Sequence, residues 1–187
     1  NSMLTLEDMS IDRLIDFING QHHSNEEEIL NLIESSIKNL MTNSNLEKSL
    51  ISILEEIDSK FYDFKEKLIK HCEKEDQILF PYMRNLYEFR RDKTFVNTIQ
   101  NKHFLKKPIQ LLESEHIQAS QILTEIKNIT QGFTFSNDTN EEYQKLMISL
   151  KEFEKDFHIH LHIENNILFP KIIALEEQLN NLNNKQE

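Results

Sequence analysis

Cysteine occurs once in this 187-residue sequence, at Cys72; glycine occurs twice and proline three times. A single thiol excludes an internal disulfide framework, a cysteine zinc site and a protein-held iron–sulfur cluster. Gly20 and Gly132 stand too far apart to build a phosphate-cradling loop. So few glycines also argue against a turn-rich all-β fold. Basic charge is short as well: 21 Lys+Arg against 32 Asp+Glu leave a net charge of −11. That balance argues against a nucleic-acid partner and against an anionic membrane surface, both of which need a basic patch. No apolar run approaches the ~18 residues of a spanning helix, and no N-terminal stretch reads as a signal segment. The expectation is a cytoplasmic, mostly helical protein. With 38% hydrophobic residues it can bury a core rather than stay disordered.

What is present is heptad-like periodicity. Four long segments, about residues 11–40, 46–89, 108–130 and 141–182, are separated by short polar breaks. Apolar residues recur in each at alternating steps of three and four. The first stripe is Ile11, Ile15, Ile18, then His22, Asn25, Ile29 and Leu32. The second is Ile57, Phe61, Phe64, Leu68, then His71 and Glu75, then Ile78 and Tyr82. The third is Ile109, Leu112, then His116, then Ala119, Leu123 and Ile126. The fourth is Leu146, Leu150, Phe153, Phe157, then His160 and Glu164, then Ile167. Such a stripe is the seam of antiparallel bundle packing. The fold class expected is all-α, an antiparallel up-down-up-down four-helix bundle. It forms one domain over 1–187, with the bundle at about 10–175 and a frayed C-terminal tail.

Each seam is apolar except near one level, where a His, or a His and a Glu, takes core positions. The second and fourth segments carry one string, H-x-x-x-E-x-x-I-L-F-P, at 71–81 and 160–170. The chain therefore reads as a duplicated helical hairpin, each half giving one lone His and one His-x-x-x-Glu. Residues four apart lie on one helix face, so such a pair can grip one metal or bridge two. An unpaired ionised carboxylate in a bundle core is very costly, and two of them call for a shared cation. The candidate metal residues are His22, His71, Glu75, His116, His160 and Glu164. A nitrogen and oxygen donor set without thiolate suits iron, and two shared carboxylates suit a dinuclear site. Two Fe ions with an oxo or hydroxo bridge would keep open positions for O2 or NO.

These segments resemble the hemerythrin-like (HHE) domain, and more specifically the Repair of Iron Centers di-iron family. The resemblance rests on Q-H-H at His22, H-C-E-K-E-D-Q-I-L-F-P at His71, E-S-E-H at His116 and H-L-H-I-E-N-N-I-L-F-P at His160. It covers roughly residues 10–175 and implies the same six ligands. It also implies a non-haem di-iron centre and a role in restoring iron–sulfur clusters damaged by nitric oxide or peroxide. The means would be iron donation or NO handling, with iron–sulfur apoproteins as partners. An O2/NO sensor, an iron store, or an oxidase- or peroxidase-like enzyme are the alternatives at the same centre. Members of the family commonly carry a small N-terminal domain with an adjacent cysteine pair; here about ten residues precede the first segment.

The remaining candidates have plainer expectations. His23, His158 and His162 fall off the stripes and should face solvent, as should Glu26-Glu27-Glu28. His103 sits in a link. Cys72 points off the seam. Pro81 and Pro170 should kink or stop their helices. Phe64 and Phe157 could shield the site from water.

Overall fold

The structure is a computed structural model that describes residues 5–43, 46–92 and 104–183. Among these residues it is all-helical, with no strand. Seven α-helices string into four rods: α1 (Ile11–Ile18) with α2 (Ser24–Met41), α3 (Lys48–Lys74) with α4 (Phe80–Asp92), α5 (Lys106–Ile129), and α6 (Glu141–Ile163) with α7 (Phe169–Asn183). The four-rod count agrees with the periodicity. His103 lies outside the described residues.

Three rods are interrupted by one wide π turn each, at Asn19–His23, Glu75–Leu79 and Glu164–Leu168. Single π turns inside helices recur at functional sites. Two of the three have a visible local cause. Pro81 and Pro170 have no N–H, and in a regular helix each ring would press on the carbonyl four residues back. The turn before each opens instead, with Phe80 N–H donating to the Glu75 carbonyl and Phe169 N–H to that of Glu164. The prolines therefore neither stop nor end the rods. In the first rod, Ser24 donates both its N–H and its hydroxyl to the Asn19 carbonyl.

A π turn inserts one residue, and the buried stripe moves by one beyond it. Past the first turn the buried positions are Glu26, Leu30, Ile33 and Ile37, not the expected Asn25, Ile29 and Leu32; Leu32 is 61% exposed. Past the second, Leu79, Met83 and Leu86 are buried in place of Ile78 and Tyr82, and Ile78 is 66% exposed.

The core falls into two apolar clusters. One, toward the α2–α3 and α5–α6 connections, includes Ile33, Ile37, Ile57, Phe61, Phe64, Leu123, Leu150, Phe153 and Phe157. Phe64 meets Phe153 and Phe157 edge-on at 5.7 and 5.5 Å. The other includes Ile11, Ile15, Ile18, Phe80, Met83, Ile109, Leu112, Phe169 and Ile172. Each buried large side chain contributes about 1.5–3 kcal/mol. The last rod continues through Asn183, with Leu175 and Leu179 buried, so the helix extends into the stretch that follows residue 175. At the α5–α6 connection Gln131, Gly132 and Phe133 all have positive φ. This left-handed turn brings Phe133 back into the core at 4% exposure. Asn140 then caps α6 by accepting from the N–H groups of Glu142 and Tyr143.

Candidate metal centre

Between the two clusters lies a layer of polar side chains: His23, His71, Glu75, His116, His160 and Glu164, none more than 8% exposed. They form two four-residue groups, His23–Glu75–His160–Glu164 and His71–Glu75–His116–Glu164. Within each group one N or O donor per residue lies within 4.8 Å of all the others. The two glutamates belong to both groups.

Inside the layer, His116 Nε2 stands 2.8 Å from His71 Nε2, and His23 Nε2 stands 3.2 Å from His160 Nε2. Glu164 offers Oε1 to His160 Nε2 at 3.0 Å and Oε2 to His116 Nε2 at 3.2 Å. Glu75 Oε2 lies 3.3 Å from His71 Nε2 and 3.4 Å from His23 Nε2. None of the four carboxylate oxygens has hydrogen-bond geometry to any partner. Fully buried carboxylates close to nitrogens that do not point at them are what a cation between the groups would satisfy. The donor set is nitrogen and oxygen alone, so it fits iron or another borderline divalent metal.

Each imidazole is braced from behind through Nδ1. His23 pairs with Asp76 Oδ1 at 2.7 Å, His71 with Glu115 Oε2 at 3.0 Å, His116 with Asn165 Oδ1 at 2.9 Å and His160 with Glu26 Oε1 at 2.9 Å. An oxygen on Nδ1 holds the proton there and leaves the Nε2 lone pair facing inward, the usual outer support of a metal-binding imidazole. The arrangement repeats between the halves. Asp76 and Asn165 each follow the glutamate of their string by one residue and brace the lone histidine of their own hairpin. Phe80 stacks on His23 at 5.7 Å and Phe169 on His116 at 6.2 Å, so the Phe of each string covers the same histidine. Phe64 and Phe157 lie in the apolar cluster on one side of the layer.

Electrostatics follow the same pairing. Burial pulls the His23 pKa down, but the Asp76 and Glu75 carboxylates overcome this and raise it to about 9. His71 is raised against burial by Glu75, Glu164 and Glu115, and His160 is raised well above its usual value by Glu164 and Glu26. Glu164 is held far below the ordinary carboxylate range, against burial, by His160 and His116. Raised pKa values at His23, His71 and His160 mean that a cation entering beside these imidazoles competes with protons.

The sequence reading brings five of its six residues together here: His71, Glu75, His116, His160 and Glu164. The structure places the sixth, His22, outside the layer. His23, expected to face solvent, joins the layer, and His22 does not. The Asn19–His23 turn adds one residue between Ile18 and the layer, so the inward position falls one residue later than a regular helix predicts. His22 is itself buried. Its Nδ1 lies 3.2 Å from Asp156 Oδ2, its ring stacks on His160 at 5.2 Å, and its Nε2 has no hydrogen-bond partner. With Glu26 and Asp156 it forms a separate three-residue group. Glu26, expected on a solvated face, is 2% exposed. His158 and His162 are exposed, as expected. His158 Nδ1 bonds the Glu154 carbonyl and His162 pairs with Asn166. His158→Ala should therefore leave metal content unchanged by elemental analysis; loss of one ion per chain would mean that the last rod is phased differently.

All-helical rods around a shared carboxylate–imidazole layer define a cation-binding helical bundle as the protein class. Residues 13–172 match the Hemerythrin HHE cation binding domain, and the chain belongs to that family. It is 28% identical over 163 residues to a Haemophilus influenzae protein named "Probable iron-sulfur cluster repair protein", covering 87% of this chain and 64% of that protein. It is 32% identical over 111 residues to the "Iron-sulfur cluster repair protein YtfE" of Salmonella paratyphi B and of Salmonella newport, covering 59% of this chain and 44% of each. The chain thus spans less than two thirds of the length of these relatives. No helix among the described residues is long and apolar enough to cross a membrane.

Proposed function

We propose that the chain holds two iron ions through His23, His71, Glu75, His116, His160 and Glu164, and serves in the restoration of damaged iron–sulfur clusters. The observation that carries the first part is the pair of four-donor groups sharing Glu75 and Glu164. The relatives' names support the second. The four rods alternate in direction, a reading supported by α1 packing on α4 while α2 packs on α3. Two hairpins so related bring one lone His and one His-x-x-x-Glu each to the same level.

Bound iron supplies redox chemistry toward O2 or NO, and a store of ferrous ion that can be passed on. The chain's own residues do the rest. Glu75 and Glu164 draw two cations together. Asp76, Glu115, Asn165 and Glu26 fix the four imidazoles with Nε2 inward. Phe80 and Phe169 exclude water from two of them. Carboxylates and imidazoles, with no thiolate in the layer, hold ferrous ion reversibly.

The experiment is incubation of ferrous-loaded protein with an iron-depleted cluster apoprotein under anaerobic conditions. The expected result is regained activity of the apoprotein, matched by iron lost from this chain. No reactivation, with both irons retained, would overturn the role in repair.

A further inference from the structure

The donor layer is closed to solvent: His160, Glu75 and Glu164 are each 0% exposed. Ions therefore need a way in, and the cavities that reach the layer differ in charge. A cavity of about 160 Å³ is lined by His71 and His116 and by Lys67, Lys70, Lys74 and Glu115. Each of its lysines is paired, Lys67 with Asp63, Lys70 with Glu66 and Lys74 with Glu115, so its lining carries little net charge. A second, of about 500 Å³, passes beside His116 and holds one carboxylate, Glu125, which Lys60 neutralises at 2.6 Å. A third, of about 390 Å³, is lined by His23 together with Glu26, Glu27, Glu73 and Asp76, with no Lys or Arg.

Two features tie this third cavity to the metal layer rather than leaving it an acidic patch. His23, one of its walls, is a member of the His23–Glu75–His160–Glu164 group. Glu26, another wall and almost wholly buried, holds His160 Nδ1 with Oε1. Its Oε2 has one partner, the Cys72 thiol at 3.8 Å.

Resting on the two-metal reading above, we propose that the acidic cavity over His23 is the route by which divalent cations enter and leave the centre, filling the His23–His160 half first. A cleft lined by one sign of charge focuses the field and raises local cation concentration, with on-rate gains of about 10- to 1,000-fold. The lysine-lined cavity, its charges paired, offers no such attraction and does not carry them.

The test is the rate of Co2+ uptake by the metal-free full chain, followed by visible absorption. Glu27→Gln/Glu73→Gln removes two exposed charges from the rim. It should load about five-fold more slowly at about 10 mM salt and match the parent at about 500 mM, where charges are screened within a few ångströms. Lys67→Gln/Lys70→Gln should load at the parental rate. All three proteins should end with two ions per chain, and matching thermal melts establish that the variants fold. Equal rates for the acidic variant and the parent at low salt would overturn the route. So would faster loading in the lysine variant. Fewer than two ions in the parent would instead overturn the donor assignment beneath it.

Discussion

Glu164→Ala is expected to abolish paired metal binding, and Glu75→Ala to do the same. Each carboxylate belongs to both four-donor groups, so its loss takes a donor from both cations at once. Neither has a hydrogen-bond partner that explains its burial. With the parent, excess ferrous ion should raise the melting temperature, because a ligand that binds only the folded chain at about 1,000 times its Kd contributes about 4 kcal/mol. The variants should lose nearly all of that gain. Without metal the difference from the parent should be smaller, since no bound cation is then lost with the carboxylate. Metal analysis and paired melts with and without iron check both statements. A variant that kept two ions per chain would show that its carboxylate is not shared.

The second large effect separates adjacent residues. His23→Ala should bind about one ion per chain, because it empties the His23–His160 half and leaves the His71–His116 half with both glutamates. His22→Ala should keep two. It loses the stack on His160 and the Asp156 contact, so its melting temperature should fall, but no donor of either group is removed. Elemental analysis of the two variants side by side decides the matter. Two ions in His23→Ala and one in His22→Ala would return the assignment to the unbroken helical stripe.

That pair also marks where the sequence was legible and where it was not. Helical periodicity exposed the four rods, and the doubled H-x-x-x-E string exposed four of the six inward residues, because a spacing of four survives in any regular helix. Periodicity carries no information about an inserted turn. A stripe that runs straight through 19–23 and 75–79 misplaces the positions beyond by one, giving Asn25 for the buried Glu26 and Tyr82 for the buried Met83. For 75–79 the signal that could have warned of this was the shared F-P ending, since a proline continuing a helix demands a local widening; the turn at 19–23 has no proline to mark it. The bracing residues were hidden for another reason: a carboxylate on a charged face looks solvated until the neighbouring rod is known. For Asp76 and Asn165 a clue existed, since both follow the glutamate of their strings. Glu26 and Glu115 act across hairpins, and one sequence cannot show that.

The polar layer is a waist between two separate greasy halves, each sealed by its own phenylalanines. Each half has its own apolar cluster, so much of the burial that holds the rods together lies outside the waist. A vessel built this way suits the proposed iron donation, which requires draining and refilling without being taken apart.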